Sequence, residues 1–471
     1  MTVANGLRVG FVSLARSTFD VALAGQVTTQ VHGALTSAGL QLCGPGEPLR
    51  DPEALQAAVV ALAADPPDLL LLLQATFADS TMVLRVAEAV DAPLVLWAVP
   101  EPTGSRSVPQ PLGAVPEPAA ADAAPGGPRR LRLNSLCGVN LAAHALRRAG
   151  RRYDWLYAPP DDPAALQKVC TLALAGHVRQ RLRQARIGRV GEQPAGFPTC
   201  SYDAERLRAA LGVQVVPLGL DAVFQAVRAV GEGEVDAAWQ ALESRLEGLA
   251  YVDRAATRRT LAVQQALGRL AAVERLDGLA VRCWPEFFTD LGCAACGALS
   301  QLADGLIPTS CEADVNGTIT QFILQCLSGG PAFGSDIVSM DVAAGTGVLW
   351  HCGLAPLSMA DRARPPRATV HPNRKLPLLF EFSLKPGRVT LARLSEASGG
   401  YRLVIAGGEM LQSAPSFSGT SGVLRFDAPA SDVLDTIMRE GLEHHVSLTY
   451  GDHRAALLAL GAMLGLPVLR L

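Results

Sequence analysis

Hydrophobic positions in the first third of the chain fall into short solid runs separated by helically spaced ones. Arg8 to Leu14, Asp68 to Leu73 and Pro93 to Val99 are compact apolar runs of strand length, while Ala54 to Ala63 and Thr81 to Ala89 carry a helical period. Continuous apolar strands alternating with helices predict a parallel sheet covered on both faces. The pattern breaks from Glu101 to Arg130, where seven prolines stand among Ala, Gly and Ser. That stretch reads as a long excursion from the sheet, a cover or an oligomer contact. A short strand at Tyr153 to Tyr157 then leads into Pro159-Pro160-Asp161-Asp162-Pro163, a hinge between domains.

A second α/β block follows. A helix is expected over 164–183, strands near Arg186 to Val190 and Gly212 to Pro217, and a helical stretch over 222–273 interrupted at Gly231-Glu232-Gly233. Strands at Leu279 to Cys283 and Ile307 to Cys311 precede a helix from Ile319 to Leu327. From about Gly334 the pattern turns to β, with runs at 337–342, 347–351, 388–394, 401–406 and 421–426 between Gly and Pro. Residues 431–471 return to helix, strand, helix, strand. The fold class is therefore α/β, with two doubly wound parallel-sheet domains (1–160 and 161–333) followed by a mostly antiparallel β-barrel-like C-terminal domain (334–471). A length of 471 residues already calls for more than one core.

Composition narrows the function classes. Apolar residues at 49% and charged residues at 18% give a large core and argue against disorder. A net charge of -3 with no basic stripe leaves no electrostatic footprint for nucleic acid. Long uncharged runs are broken by Asn, Gln, Gly, Ser or Pro, and Arg8 and Arg16 interrupt the first apolar segment. Neither a membrane span nor a signal peptide is expected, and the cytoplasm is the expected compartment. Ten cysteines without framework spacing read as reduced thiols. Cys293-Ala-Ala-Cys296 has no second pair for zinc and reads as two small apolar side chains on a buried helix. Arg186 to Gly191 is only GxxG, and Ser418 lacks the glycines of a nucleophile elbow, which argues against kinase, dehydrogenase and serine hydrolase readings.

Candidate chemistry gathers in four later segments: Cys283-Trp-Pro-Glu286, Cys311-Glu312-Ala-Asp314-Val-Asn316-Gly317, Trp350-His351-Cys352 and Glu443-His444-His445. Two carboxylates and two imidazoles suit a hard or borderline divalent ion, and the same carboxylates can move protons. Glu286 and Asp314 fall at strand ends, where ligands collect in parallel sheets. Asp314 also suits an ordinary helix cap, Glu312 is an alternative ligand, and strand alternation would put both on one face. His351 reads either as a ligand or as a hydrogen-bonded core residue. His444 and His445, if extended, point oppositely, so one of them reaches a given site.

Together these segments resemble the L-fucose isomerase and L-arabinose isomerase superfamily, most clearly over 279–353 and 441–468. The resemblance implies a metal-dependent aldose–ketose isomerase working through an enediolate, with a sugar as its small-molecule partner. Asp314 is similar to the family's metal-binding aspartate, His445 to its C-terminal metal histidine, and His351 to the extra histidine of the arabinose branch. Glu286 would be the partner glutamate, so that Glu286 and Asp314 form the acid/base pair at an Mn²⁺ site that Mg²⁺ or Co²⁺ could also fill. The resemblance further implies substrate contacts from Arg16, Trp97, Asn316 and His444, and a homo-oligomer, trimer or hexamer, in which Arg16 and Trp97 serve a neighbour's site. Two alternatives are a catalytically silent sugar-binding relative and a metal-dependent epimerase or aldolase. The sugar itself, with or without an anionic C6 group, stays open.

Overall fold

The computed structural model describes residues 6–102 and 131–471, so most of the proline-rich excursion lies outside the described residues. The chain divides into two compact units, Met1–His177 and Val178–Leu471. In the first, β1 (Arg8–Leu14), α1 (Val21–Ser37), β2 (Gln41–Cys43), α2 (Pro52–Ala64), β3 (Leu69–Gln74), α3 (Ser80–Ala89), β4 (Leu94–Ala98), α4 (Ser135–Arg148), β5 (Asp154–Tyr157) and the start of α5 (Pro163–Gln184) alternate as the periodicity predicts. The strands form one parallel sheet in the order β2-β1-β3-β4-β5. Every residue of β3 and β4 is buried, as expected of central strands covered on both faces.

The second unit opens with β6 (Arg186–Val190), α6 (Ala204–Leu211), β7 (Gln214–Leu218), α7 (Leu220–Arg228), α8 (Glu232–Glu243) and α9 (Arg254–Val273). The long helical stretch is thus three helices, broken a second time between α8 and α9. Then come β8 (Gly278–Val281), α10 (Glu286–Thr289), α11 (Cys296–Asp304), β9 (Thr309–Ser310) and α12 (Val315–Ser328). A four-stranded parallel sheet results, ordered β7-β6-β8-β9. The helix expected from Ile319 begins at Val315, because the Asp314 carboxylate accepts the Gly317 N–H at 2.8 Å and caps it.

The β region supplies β10 (Phe333–Asp341), β11 (Thr346–His351), β12 (Arg367–Thr369), β13 (Leu379–Ser383), β14 (Gly387–Ser395), β15 (Arg402–Leu411) and β16 (Thr420–Phe426). It ends in α13 (Ala430–Glu440), β17 (His445–Tyr450), α14 (Arg454–Leu464) and β18 (Val468–Arg470). Strands β16, β11, β10, β17, β14 and β15 pair antiparallel in that order, and β15 returns to β16, closing a six-stranded barrel. Strands β13 and β18 extend it in parallel pairings. Helix α12 carries no charged residue and packs on both β8 and β9 of the parallel sheet and β17 and β14 of the barrel. A helix without a charge can be covered on most of its sides, and this one joins the two layers. One apolar cluster runs from Leu279 and Val281 to Leu391 and Leu448.

The cysteine reading needs one correction. Eight cysteines are free, but Cys283 and Cys311 are joined, with Cα atoms 5.7 Å apart. Strands β8 and β9 run side by side with Leu279 opposite Thr309, so the residues just past their ends meet, which a spacing of 28 does not announce. Cys293 is buried ahead of α11 and Cys296 begins that helix, as apolar packing requires.

Candidate active site

The turn from β9 into α12 builds the centre. Glu312 and Ala313 both adopt left-handed backbone, with φ of 59° and 54°, a conformation that non-glycine residues hold only when their surroundings impose it. Strand alternation therefore does not govern this segment, contrary to the expectation for Glu312 and Asp314. Both carboxylates nevertheless reach His445, one on each side of its ring. Asp314 Oδ2 lies 2.9 Å from His445 Nδ1, and Glu312 Oε2 lies 3.8 Å from Nε2. Gly317 permits this, because a Cβ there would fall 2.4 Å from Asp314 Oδ2 and 3.1 Å from Arg393 Nη1.

The two histidines do not diverge. Strand β17 begins at His445, leaving His444 outside its alternation, and the two ring centroids are 4.0 Å apart. His444 Nε2 lies 3.2 Å from Glu312 Oε2, and its Nδ1 lies 2.8 Å from Thr199 Oγ1. With Cys200, whose thiol donates to Glu312 Oε2 at 3.7 Å, these side chains form a cluster of Cys200, Glu312, His444 and His445 with ligand atoms within 4.8 Å of one another.

A second layer fixes the first. Arg393 of β14 is buried and donates to both oxygens of Asp314, at 2.5 and 3.1 Å, and to Thr199 O at 3.2 Å. Burial alone would raise the Asp314 carboxyl, but Arg393 and His445 reverse that and hold it well below the usual carboxylate range. Glu312 behaves likewise. Burial raises it, while His444, His445 and the Trp284 indole N–H at 3.2 Å bring it below its ordinary value. The Cys200 thiol is pushed up by burial and by Asp314 and Glu312, so it stays protonated beside these acids. Asp336 of β10 pairs across the sheet with His445 and Trp350, and its Oδ1 sits 3.7 Å from His445 Nε2. That oxygen is buried and has no hydrogen-bond partner among the described residues. A cavity of about 540 Å³ opens here, lined by Asp336, Arg393, Glu443, His444 and His445 and by apolar side chains of β10 and α13.

The remaining candidates fall elsewhere. Glu286 begins α10 with both oxygens on Arg282 Nε, at 2.9 and 2.8 Å, and this bond lowers its pKa. Glu286 and Asp314 thus each have a separate arginine and share no contact. The carboxylate brought to the histidines together with Asp314 is Glu312. His351 is buried beside His445, ring centroids 5.8 Å apart, but its Nδ1 accepts the Cys352 N–H at 2.9 Å and it stands outside the four-residue cluster. Asn316 is buried in α12, with its amide donating to Ser201 O at 3.3 Å. In the first unit Arg16 is exposed after β1. Trp97 is wholly buried in β4 and its indole N–H is given to Ala158 O at 3.0 Å, because a central strand has no free face to offer a sugar. Sequence reasoning missed Cys200, Asp336 and Arg393. None lies in a segment with ligand spacing, and only the barrel register places Asp336 opposite His445.

Comparison with known proteins adds the lineage. Residues 380–471 match the L-fucose isomerase C-terminal domain. A sulfoquinovose isomerase of Priestia megaterium is 33% identical over 457 residues, 97% of each chain, and one of Alkalicoccus urumqiensis is 31% identical over 466 residues, 99% of each chain. A Clostridium sp. sulfoquinovose isomerase is 31% identical across 85% of both chains. A solute-binding protein of Actinobacillus succinogenes with bound D-allose aligns over 68% of this chain and 91% of its own at 10% identity and a TM-score of 0.18, which carries no argument. No helix among the described residues is long and apolar enough to cross a membrane. The near full-length identity to several isomerases and the matched C-terminal domain place the chain in the fucose isomerase-like family, as an isomerase.

Proposed function

We propose that the protein is a divalent-metal-dependent aldose–ketose isomerase whose sugar is sulfoquinovose, a glucose with a sulfonate on C6, converted to the corresponding ketose. The observation that carries this reading is His445 held between Asp314 on one ring nitrogen and Glu312 on the other, with His444 on the same glutamate. Two ionised carboxylates and two imidazoles suit a borderline divalent ion, with Mn²⁺ the first choice and Mg²⁺ or Co²⁺ as substitutes. Glu312, His444 and His445 would hold it, with Asp314 at the other face of the His445 ring. A bound ion supplies the positive charge that acidifies the C2 proton and stabilises an enediolate.

The protein's own groups must hold the sugar and carry the proton between C2 and C1. That proton needs a carboxylate oxygen not already committed. Arg393 and His445 occupy Asp314, Arg282 occupies Glu286, and Trp284, His444 and Cys200 reach Glu312. The step therefore passes in this reading to Asp336, whose Oδ1 has no hydrogen-bond partner among the described residues, with Glu312, which has no arginine partner among them, as the second group. The family resemblance adds a homo-oligomer, trimer or hexamer, in which Arg16 of a second copy serves the site.

The test is direct. Protein reloaded with Mn²⁺ is incubated with sulfoquinovose in D₂O, and the carbon spectrum is followed. Ketose should appear, with deuterium entering at C1 or C2 from the exchanged enediolate. Metal-replete protein that forms no ketose from sulfoquinovose would sink the reading.

A further inference from the structure

One wall of the centre is aromatic and ends in a cation. Phe197 packs edge-on against Trp284 at 5.4 Å and against His444 at 6.1 Å, and Trp284 in turn donates its indole N–H to Glu312. Beyond it lies Arg374, its guanidinium carbon 5.0 Å from the Trp284 ring centroid and 5.0 Å from that of Phe288. Trp284 therefore touches the candidate centre with its N–H and Arg374 with its face. Glu312 and Arg374 thus meet the same indole, one at its N–H edge and the other over its face.

The loop holding Arg374 is fixed by His371, which is buried against Phe288, ring centroids 5.3 Å apart. His371 Nδ1 accepts the backbone N–H groups of Asn373 and Arg374 at 3.3 and 3.4 Å. A neutral imidazole that accepts at Nδ1 carries its proton on Nε2. The Arg374 Nη1, 3.5 Å from that Nε2, thus meets a donor and gains no acceptor there. Neighbouring guanidiniums are committed, Arg393 to Asp314 and Arg282 to Glu286. Arg374 has no carboxylate partner among the described residues, is exposed, and is steadied by aromatic faces that leave its N–H edges open. A stacked guanidinium with open edges is a preorganised fork for a tetrahedral oxyanion.

We propose that Arg374 is a specificity-determining residue that binds the anionic C6 substituent, a sulfonate, of a sugar whose reacting end lies at Glu312 and His445. This rests on the sugar-isomerase reading above and adds the group that selects a charged sugar over a neutral one. The bond is charge-assisted on both sides and is lost when the guanidinium is removed.

The experiment compares wild type, Arg374→Ala and Arg374→Lys, each loaded with Mn²⁺, for metal content and for kcat and KM on sulfoquinovose. Arg374→Ala should raise KM about 10- to 100-fold, the range for losing one charged hydrogen-bonded contact, while kcat and metal content change little. Arg374→Lys should recover part of that loss, since the charge returns without the fork. An unchanged KM in Arg374→Ala, or a KM rise matched by lost metal, overturns the proposal. If wild type does not turn over sulfoquinovose, the substrate reading fails, and calorimetric binding of the sulfonated alditol decides Arg374 separately. Equal affinity in wild type and Arg374→Ala, or no affinity in either, then overturns it.

Discussion

Replacing Arg393 by methionine tests the pairing that holds the centre in shape. The Arg393 and Asp314 side chains are 3% and 1% exposed, so water screens neither charge. Methionine keeps much of the arginine's volume but leaves Asp314 as a buried charge without its main partner, a change that costs about 3–5 kcal/mol. The cost has a pH dependence whose sign is fixed. Asp314 titrates well below its ordinary 3.8 in the folded protein, so it contributes stability that is present above that value and lost as pH falls through the folded one. Without Arg393, burial drives the carboxyl upward, and the variant relieves its strain by protonation. Its deficit against wild type should be largest at neutral pH and shrink toward pH ~4. Urea unfolding followed by circular dichroism in EDTA, at both pH values, measures this for Arg393→Met, Asp314→Asn and the double variant. The double variant should recover most of what Arg393→Met loses, since it removes the charge left behind. A deficit below ~1 kcal/mol at pH 7, or an equal deficit at both pH values, refutes the reasoning.

Chelation with EDTA should abolish turnover and added Mn²⁺ should restore it; undiminished activity in metal-free protein would remove the metal from the reading. His445→Ala should lose most of its bound metal and its activity, whereas His444→Ala, one exposed ring fewer on Glu312, should retain more of both. Metal analysis showing the reverse order would exchange their roles. Glu312→Gln should cut kcat by about 10²-fold or more, and Glu286→Gln, with its carboxylate committed to Arg282, should cut it less. A larger loss at Glu286 would return the catalytic carboxylate to α10. Light scattering should find a homo-oligomer, and a fully active monomer would remove Arg16 of a second copy from the site.

The layers of this fold were legible because each rests on a local period. The leucine run of β3, the solid run of β1 and the change to β patterning after Gly334 announce a parallel sheet and a barrel without any knowledge of contacts. Asp314 and His445 were legible for another reason. Their segments, Cys311 to Gly317 and His445 to Gly451, resemble those of the isomerase family, and the structure brings the two side chains to 2.9 Å. The carboxylate that the structure brings to His444 and His445 beside Asp314 is Glu312, which the sequence offered only as an alternative to Glu286 and Asp314. Glu286 stands after a proline at a strand end among aromatics, where an uncompensated acid is costly, and that reasoning is sound as far as it goes. It omits Arg282, four residues earlier just past the end of β8, which satisfies Glu286 within its own segment. Strand alternation puts Glu312 and Asp314 on one face, with one of the pair supporting the other. Two successive left-handed residues break that alternation and swing Glu312 to the far side of the His445 ring. Arg393 and Asp336 come from strands with no motif of their own, so only the barrel's register and closure bring them in. Of the acids that sequence spacing singles out, Glu286 and Asp314 are each neutralised by an arginine, whereas Glu312 meets His444 and His445. Asp336, an acid with a buried oxygen left without a hydrogen-bond partner among the described residues, is fixed by long-range pairing alone.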